Sequence, residues 1–188
     1  MEKDLRQVTS PILRVVLYGP ESTGKTTLAK ALAKHYQTLW VEEYARDYLQ
    51  KKWDEQKSFC TLEDLPNIVV GQLKSENQKA IKANKLLFCD TNVVVTKVWS
   101  ETHFDGYCDP AIMEYSKKFK YDLYLLTGID VPWKKDDLRD RPDDRQLMFD
   151  HFQRALDDLR EQYIVLEGDQ ITRLKKAIAS IDPLLKKV

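Results

Sequence analysis

Gly19-Pro20-Glu21-Ser22-Thr23-Gly24-Lys25-Thr26 matches the spacing G-x-x-x-x-G-K-[ST] at every fixed position. Upstream lies Ile12-Leu13-Arg14-Val15-Val16-Leu17-Tyr18, an apolar, β-branched run that predicts a buried strand. Downstream, residues 27–36 are rich in helix formers and set Leu28, Leu32 and Tyr36 four apart on one face. A strand, a glycine-bearing loop and a helix form the context in which this pattern grips a nucleoside triphosphate. The glycines let successive backbone N–H groups point at phosphate oxygens, and the helix N-terminus adds partial positive charge. Lys25 would reach the outer phosphates and the Thr26 hydroxyl would ligate Mg²⁺, so ATP and Mg²⁺ are the expected ligands. Gly19, Glu21, Ser22, Thr23, Gly24 and Thr27 complete the donor-binding candidates in and beside the loop.

Outward from the loop, strand-like and helix-like runs alternate. Residues 38–41 predict a second strand, leading into a helix over 42–49 and then a polar connection over 51–60. Thr61 is a candidate N-cap with Asp64 in the capping-box position, ahead of Leu65, Ile68, Val69, Gln72, Leu73, Glu76, Ala80 and Ala83 at helical spacing. Residues 85–89 predict a third strand that ends on Asp90, followed by helices over 91–104 and 109–119. A fourth strand is expected over 121–126. The densely charged residues 130–145 come next, then a helix from about Pro142 with Leu147, Met148, Phe152, Ala155, Leu156 and Leu159 on its buried face. Residues 163–167 and 169–186 close the pattern as a fifth strand and a last helix. The expected fold is an α/β, three-layer parallel sheet with all strand carboxyl ends on one edge, in a single domain over 1–188.

Composition narrows the function classes. Thirty Lys plus Arg balance thirty Asp plus Glu, which argues against a general electrostatic attraction to nucleic acid or to a membrane surface. Cys60, Cys89 and Cys108 show no C-x-x-C spacing, and Cys89 is expected to be a buried apolar residue. The first residues carry no apolar signal region and no stretch has the length of a membrane span, so a cytoplasmic protein is expected. Nothing in the composition sets an oligomeric state.

A phosphate loop serves kinases, switch GTPases and motor ATPases alike. No Asp here has Gly three residues later, and Asn84-Lys85-Leu86-Leu87 lacks the final Asp of a guanine-reading motif. The third strand ends Asp90-Thr91-Asn92, without the second carboxylate that polarises water in a motor. That favours transfer to a bound acceptor over hydrolysis. A carboxylate at the end of the second strand, such as Glu43, can hold an acceptor hydroxyl and take its proton, with Arg46 one helical turn on. The bland alternative is a solvated helix start, where acidic residues are favoured anyway. Asp90 can hold Mg²⁺ or a substrate hydroxyl, or simply cap the next helix. Arg139, Arg141 and Arg145 either form a lid that neutralises charge on the transferring group or belong to a solvated loop of mixed charge. Trp133, beside them, is the aromatic residue placed to meet a ligand.

Taken with the loop, the motifs Glu43-Tyr44-x-Arg46, Asp90-Thr91 and Trp133-x-x-x-x-Leu138-Arg139 resemble the ribosylnicotinamide kinase domain of NadR-type proteins, from about Arg14 to about Leu174. The resemblance implies a nucleoside and nucleotide kinase fold with strand order 2-3-1-4-5. It also implies ATP-dependent phosphorylation of the ribose 5′-hydroxyl of nicotinamide riboside, a small-molecule partner. On it, Glu43 and Asp90 bind nucleoside and metal, one of them serving as base. Tyr44, Arg46 and Trp133 become acceptor contacts, Arg139 a catalytic lid arginine and Arg141 a donor contact. Such proteins usually carry an adenylyltransferase domain with an H-x-G-H signature; this chain lacks the signature, so the mononucleotide is the expected product. Where the family often has Trp directly before the Glu-Tyr pair, this chain has Glu42, with Trp40 two residues earlier. The competing expectations are an ATP-binding sensor that has lost efficient transfer and an ATPase stimulated by a macromolecular partner.

Overall fold

The computed structural model describes residues 5–186, so the reading of Met1-Glu2-Lys3-Asp4 lies outside the described residues. Five parallel strands, β1 (Leu13–Tyr18), β2 (Leu39–Val41), β3 (Leu86–Asp90), β4 (Leu123–Thr127) and β5 (Tyr163–Leu166), form one sheet in the order β2-β3-β1-β4-β5. This is the expected order. Every residue of β1, β3 and β4 is buried, which explains why those runs are largely apolar, Arg14, Asp90 and Thr127 apart, and do not alternate.

The pleat divides these residues between two cores. Val15, Leu17, Phe88 and Leu125 face α1 (Lys25–His35) and α7 (Gln170–Leu185) through Leu28, Leu32, Ala177 and Ile181. Val16, Tyr18, Leu87, Cys89 and Tyr124 face the other layer, with Cys89 fully buried as expected. That layer holds α3 (Asp64–Ala80), α4 (Val93–His103), α5 (Pro110–Lys118) and α6 (Arg145–Leu159), which contribute Leu65, Ile68, Val98, Ile112 and Phe152. No helix among the described residues is long and apolar enough to cross a membrane.

Four local expectations change. The connection expected over 51–60 is largely helix: α2 runs Tyr44–Gln56 and stops at Lys57, whose φ of 52° is left-handed. This helix buries no residue fully, so it lacks the apolar stripe that marks a helix in sequence; Ala45, Tyr48 and Leu49 pack only partly against the core. Thr61 does not cap α3. Its N–H and Oγ1 instead donate to the Asp64 carboxylate at 2.7 and 3.1 Å, and Glu63 occupies the N-cap position. The helix after β3 starts at Val93, capped by Asn92 Oδ1, which accepts from the N–H groups of Val94 and Val95. Asp90 is therefore not the cap. Finally, α6 begins at Arg145, three residues after Pro142, and Leu147 is 53% exposed because the buried stripe runs through Met148, Phe152, Ala155 and Leu156.

Candidate active site

The carboxyl edge of the sheet opens into a cleft of about 820 Å³, lined by residues from the phosphate loop, the ends of β2 and β3, the starts of α2 and α4, and the segment over 131–145. Gly24, at φ 85°, starts α1 in a left-handed conformation that other residues reach only with strain. Thr23 Oγ1 donates to the Pro20 carbonyl at 2.7 Å and lies 2.7 Å from Thr127 Oγ1, which in turn reaches the Tyr18 carbonyl. Lys25 Nζ donates to the carbonyls of Gly19 and Pro20 at 3.0 and 2.6 Å. Burial lowers the Lys25 pKa, with Glu43 first and Asp90 next among the groups that oppose the shift.

Asp90 ends β3 directly opposite Leu17, at the mouth of the loop. Its Oδ2 accepts from Thr26 Oγ1 at 2.5 Å, while its buried Oδ1 has no hydrogen-bond partner among the described residues. Burial, reinforced by the negative charge of Glu43, pushes this carboxyl up to about 6. An unpaired carboxylate oxygen beside a threonine hydroxyl is a hard-oxygen donor set that fits Mg²⁺, which takes one or two protein ligands and completes its shell with phosphates and water. Among the described residues no group of three or more His, Cys, Asp or Glu could hold a metal by itself.

Across the cleft, Glu43 sits at the N-cap of α2 with no side-chain capping bond, and its carboxylate lines the cleft beside Arg46. Tyr44, expected as an acceptor contact, is not among the residues that line the cleft. Its ring lies over Gly71 of α3, where a Cβ would stand 2.2 Å from the ring carbons. Trp40 and Glu42 both line the cleft, and the Trp40 ring has Lys30 Nζ at 5.2 Å and Lys79 Nζ at 5.9 Å. Lys79 also pairs with Glu42, whose carboxyl is lowered by that contact against the opposing effect of burial.

The segment over 131–144 rests on the loop at two points. Lys134 N–H donates to Ser22 Oγ at 2.8 Å, and Arg141 N–H donates to Glu21 Oε1 at 3.3 Å. Burial raises the Glu21 carboxyl, and the Arg141 N–H opposes it. Asp136 joins the segment to α2, pairing with Arg46 at 2.8 Å and with Arg139 at 3.2 Å. The Arg141 guanidinium is committed elsewhere, to His103 Nε2 at 3.1 Å and the Thr102 carbonyl at 2.9 Å, although the residue lines the cleft. Arg145 keeps Nε and Nη2 buried without a hydrogen-bond partner among the described residues, and its guanidinium carbon lies 5.9 Å from the Trp133 ring. Thr27 lines the cleft from the first turn of α1.

Sequence reasoning did not single out Arg173, Asp136 or Gln72. Arg173, 4% exposed, donates to the carbonyls of Thr23, Gly168 and Gly128 and pairs with Asp130, so it holds the loop to the ends of β4 and β5. A signal existed: Arg173 occupies the same helical stripe as Ala177 and Ile181, where a charge needs partners.

The family described as AAA domain matches residues 14–173. The trifunctional NAD biosynthesis/regulator protein NadR of Salmonella typhimurium is 30% identical over 125 residues, covering 66% of this chain and 30% of its own length. The chain thus spans under a third of the curated relatives it matches first. Crystal structures of NadR, one in complex with NR and one with NAD and AMP-PNP, superpose at a TM-score of 0.70 and 22% identity, covering 91% of this chain and about half of theirs. Deoxyadenosine kinase from M. mycoides gives 0.64 at 11% identity over 91% of this chain and all of its own. The chain belongs to the AAA-domain family of phosphate-loop proteins, and the NadR likeness raised by its motifs holds in both sequence and fold.

Proposed function

We propose that this protein transfers the γ-phosphoryl group of ATP to the ribose 5′-hydroxyl of a nucleoside, with nicotinamide riboside as the acceptor. One observation carries the reading: Lys25, the Thr26–Asp90 pair and Glu43 converge on a single cleft, beneath a covering segment that supplies arginines. The NadR likeness supports the choice of acceptor.

Phosphoryl transfer asks a protein chiefly to position the reactants and to stabilise charge. The backbone amides of the loop and Lys25 would hold the donor phosphates, Lys25 exchanging the Gly19 and Pro20 carbonyls for phosphate oxygens. Thr26 Oγ1 and Asp90 would hold Mg²⁺, which when bound with ATP neutralises charge on the β- and γ-phosphates. Glu43 faces the acceptor side, free to accept a hydrogen bond from the attacking hydroxyl and to take its proton. Arg145, with two buried N–H groups unpaired, and Arg139 would stabilise charge on the transferring group. Arg46 holds the acceptor side to the lid through Asp136.

Incubation with MgATP and a panel of nucleosides, followed by mass spectrometry, tests the proposal. A monophosphate of nicotinamide riboside is expected. Monophosphates of other nucleosides only would change the acceptor, and no nucleotide from any nucleoside would end the kinase reading. Hydrolysis stimulated by a macromolecule, without nucleoside transfer, would favour a partner-driven ATPase instead.

A further inference from the structure

The N-terminus of α2 presents the first N–H groups of a helix, which need acceptors, and its N-cap residue is Glu43. An N-cap carboxylate ordinarily accepts from the second or third of those N–H groups and is thereby turned away from other work. Here Glu43 makes no such bond. The third N–H, that of Arg46, goes to the Glu43 carbonyl at 3.3 Å, and the first, that of Tyr44, donates to Gln72 Oε1 of α3 at 2.8 Å. Gln72 is 6% exposed, and its other arm, Nε2, faces the Thr91 carbonyl at the longer distance of 3.5 Å. The Tyr44 N–H can only be met by the amide oxygen, which fixes the orientation of the side chain.

The neighbouring residue adds a second contact. Gly71 lies in the interior of α3, where glycine costs about 1 kcal/mol relative to alanine. The Tyr44 ring fills the space in which a Cβ would sit. Gly71 and Gln72 thus seat the ring and the N–H of one residue, the residue directly after Glu43. The Thr91 end matters for a related reason: Thr91 follows Asp90 and holds φ at 70°, strained for a β-branched residue, with its N–H on the Leu17 carbonyl. One buried amide therefore touches the backbone beside each of the two cleft carboxylates.

We propose that Gln72 is a positioning residue: it takes the first N–H of α2 from outside the helix, fixes the backbone directly after Glu43, and so sets the Glu43 carboxylate against the Asp90 side of the cleft. The role assigned to Glu43 rests on the kinase reading above; the capping geometry does not. Misplacement of a reacting group by about 1 Å costs on the order of 100-fold. Loss of Gln72 therefore lowers kcat for the nucleoside by about 10- to 100-fold, with KM for MgATP within about twofold of its starting value.

The test uses Gln72→Leu and Gln72→Met, which keep the volume but remove both hydrogen bonds. Val69→Ala, a buried change on the same helix, is the control for stability loss alone. Two measurements are made. Amide hydrogen exchange without ligands should speed up at Tyr44 in both Gln72 variants and not in Val69→Ala. In the kinetic cycle, Gln72→Leu should lower kcat in the wild-type background and add nothing in a Glu43→Gln background, because it acts through Glu43. Unchanged exchange at Tyr44, or a further kcat loss in Glu43→Gln as large as in wild type, would overturn the proposal. If the wild type phosphorylates no nucleoside, the kinase reading fails while Tyr44 exchange still decides the capping.

Discussion

At Asp90, burial and the nearby Glu43 charge raise the carboxyl from its ordinary 3.8 to about 6. A group that binds its proton more tightly folded than unfolded stabilises the fold at low pH, and that contribution is lost as pH rises from about 4 to about 6. Asp90→Asn keeps an oxygen for the Thr26 hydroxyl and removes the buried charge. It should raise the ligand-free melting temperature at pH 7 by several degrees, on the order of 1–2 kcal/mol, while abolishing transfer; a lower melting temperature would contradict the assigned burial cost. In its proposed role the same carboxyl holds Mg²⁺ only when ionised, so kcat/KM for MgATP should fall about tenfold per pH unit below about 6 and level off above it. A profile flat from pH 5 to 8 would exclude the role. Lys25→Ala should lower kcat by about 100-fold or more with the melting temperature nearly unchanged, as read by steady-state kinetics and a thermal scan.

Among the elements, the segment over 131–144 has no regular structure and is held by a few polar contacts, Asp136 chief among them. Both Asp136 pairs are a fifth to a third exposed, so Asp136→Ala should change stability by less than about 1 kcal/mol. It should nonetheless release the lid from α2, seen as faster proteolysis within 131–144 and a higher KM for the nucleoside. Equal proteolysis in mutant and wild type would show that Asp136 does not hold the lid. On the proposed role of these arginines in stabilising charge that develops in transfer, Arg139→Ala and Arg145→Ala should each lower kcat more than they raise the acceptor KM. What the sequence disclosed at this scale followed burial. Strands buried on both faces and the stripe of α3 were legible, whereas α2, polar and half-exposed, read as a loop beyond residue 50. The Asn92 cap was hidden because Asp90, Thr91 and Asn92 are all good capping residues and only the backbone geometry separates them. Gln72 lay in plain view as a polar residue in an apolar stripe, but its partners are 19 and 28 residues away in sequence.

Over the whole molecule, the parallel sheet brings Gly19, Glu43, Asp90 and Gly128 to one edge although they are spread over more than half the chain. That convergence is dictated by right-handed crossovers between parallel strands, and it is why a cleft at the carboxyl edge could be foreseen from the loop outward, whereas the strand order rested on the family resemblance. Side-chain commitments could not be foreseen in this way: Tyr44 turned to Gly71 and Arg141 to α4 because neighbours far along the chain offered better partners. The central claim is that the phosphoryl group held by the loop goes to a nucleoside hydroxyl and not to water. It is tested most directly by following the label from γ-³²P-ATP in the presence of Mg²⁺ and nicotinamide riboside. Label is expected in a 5′-mononucleotide, with little free phosphate; label appearing only as inorganic phosphate, at the same rate with and without the nucleoside, would show transfer to water.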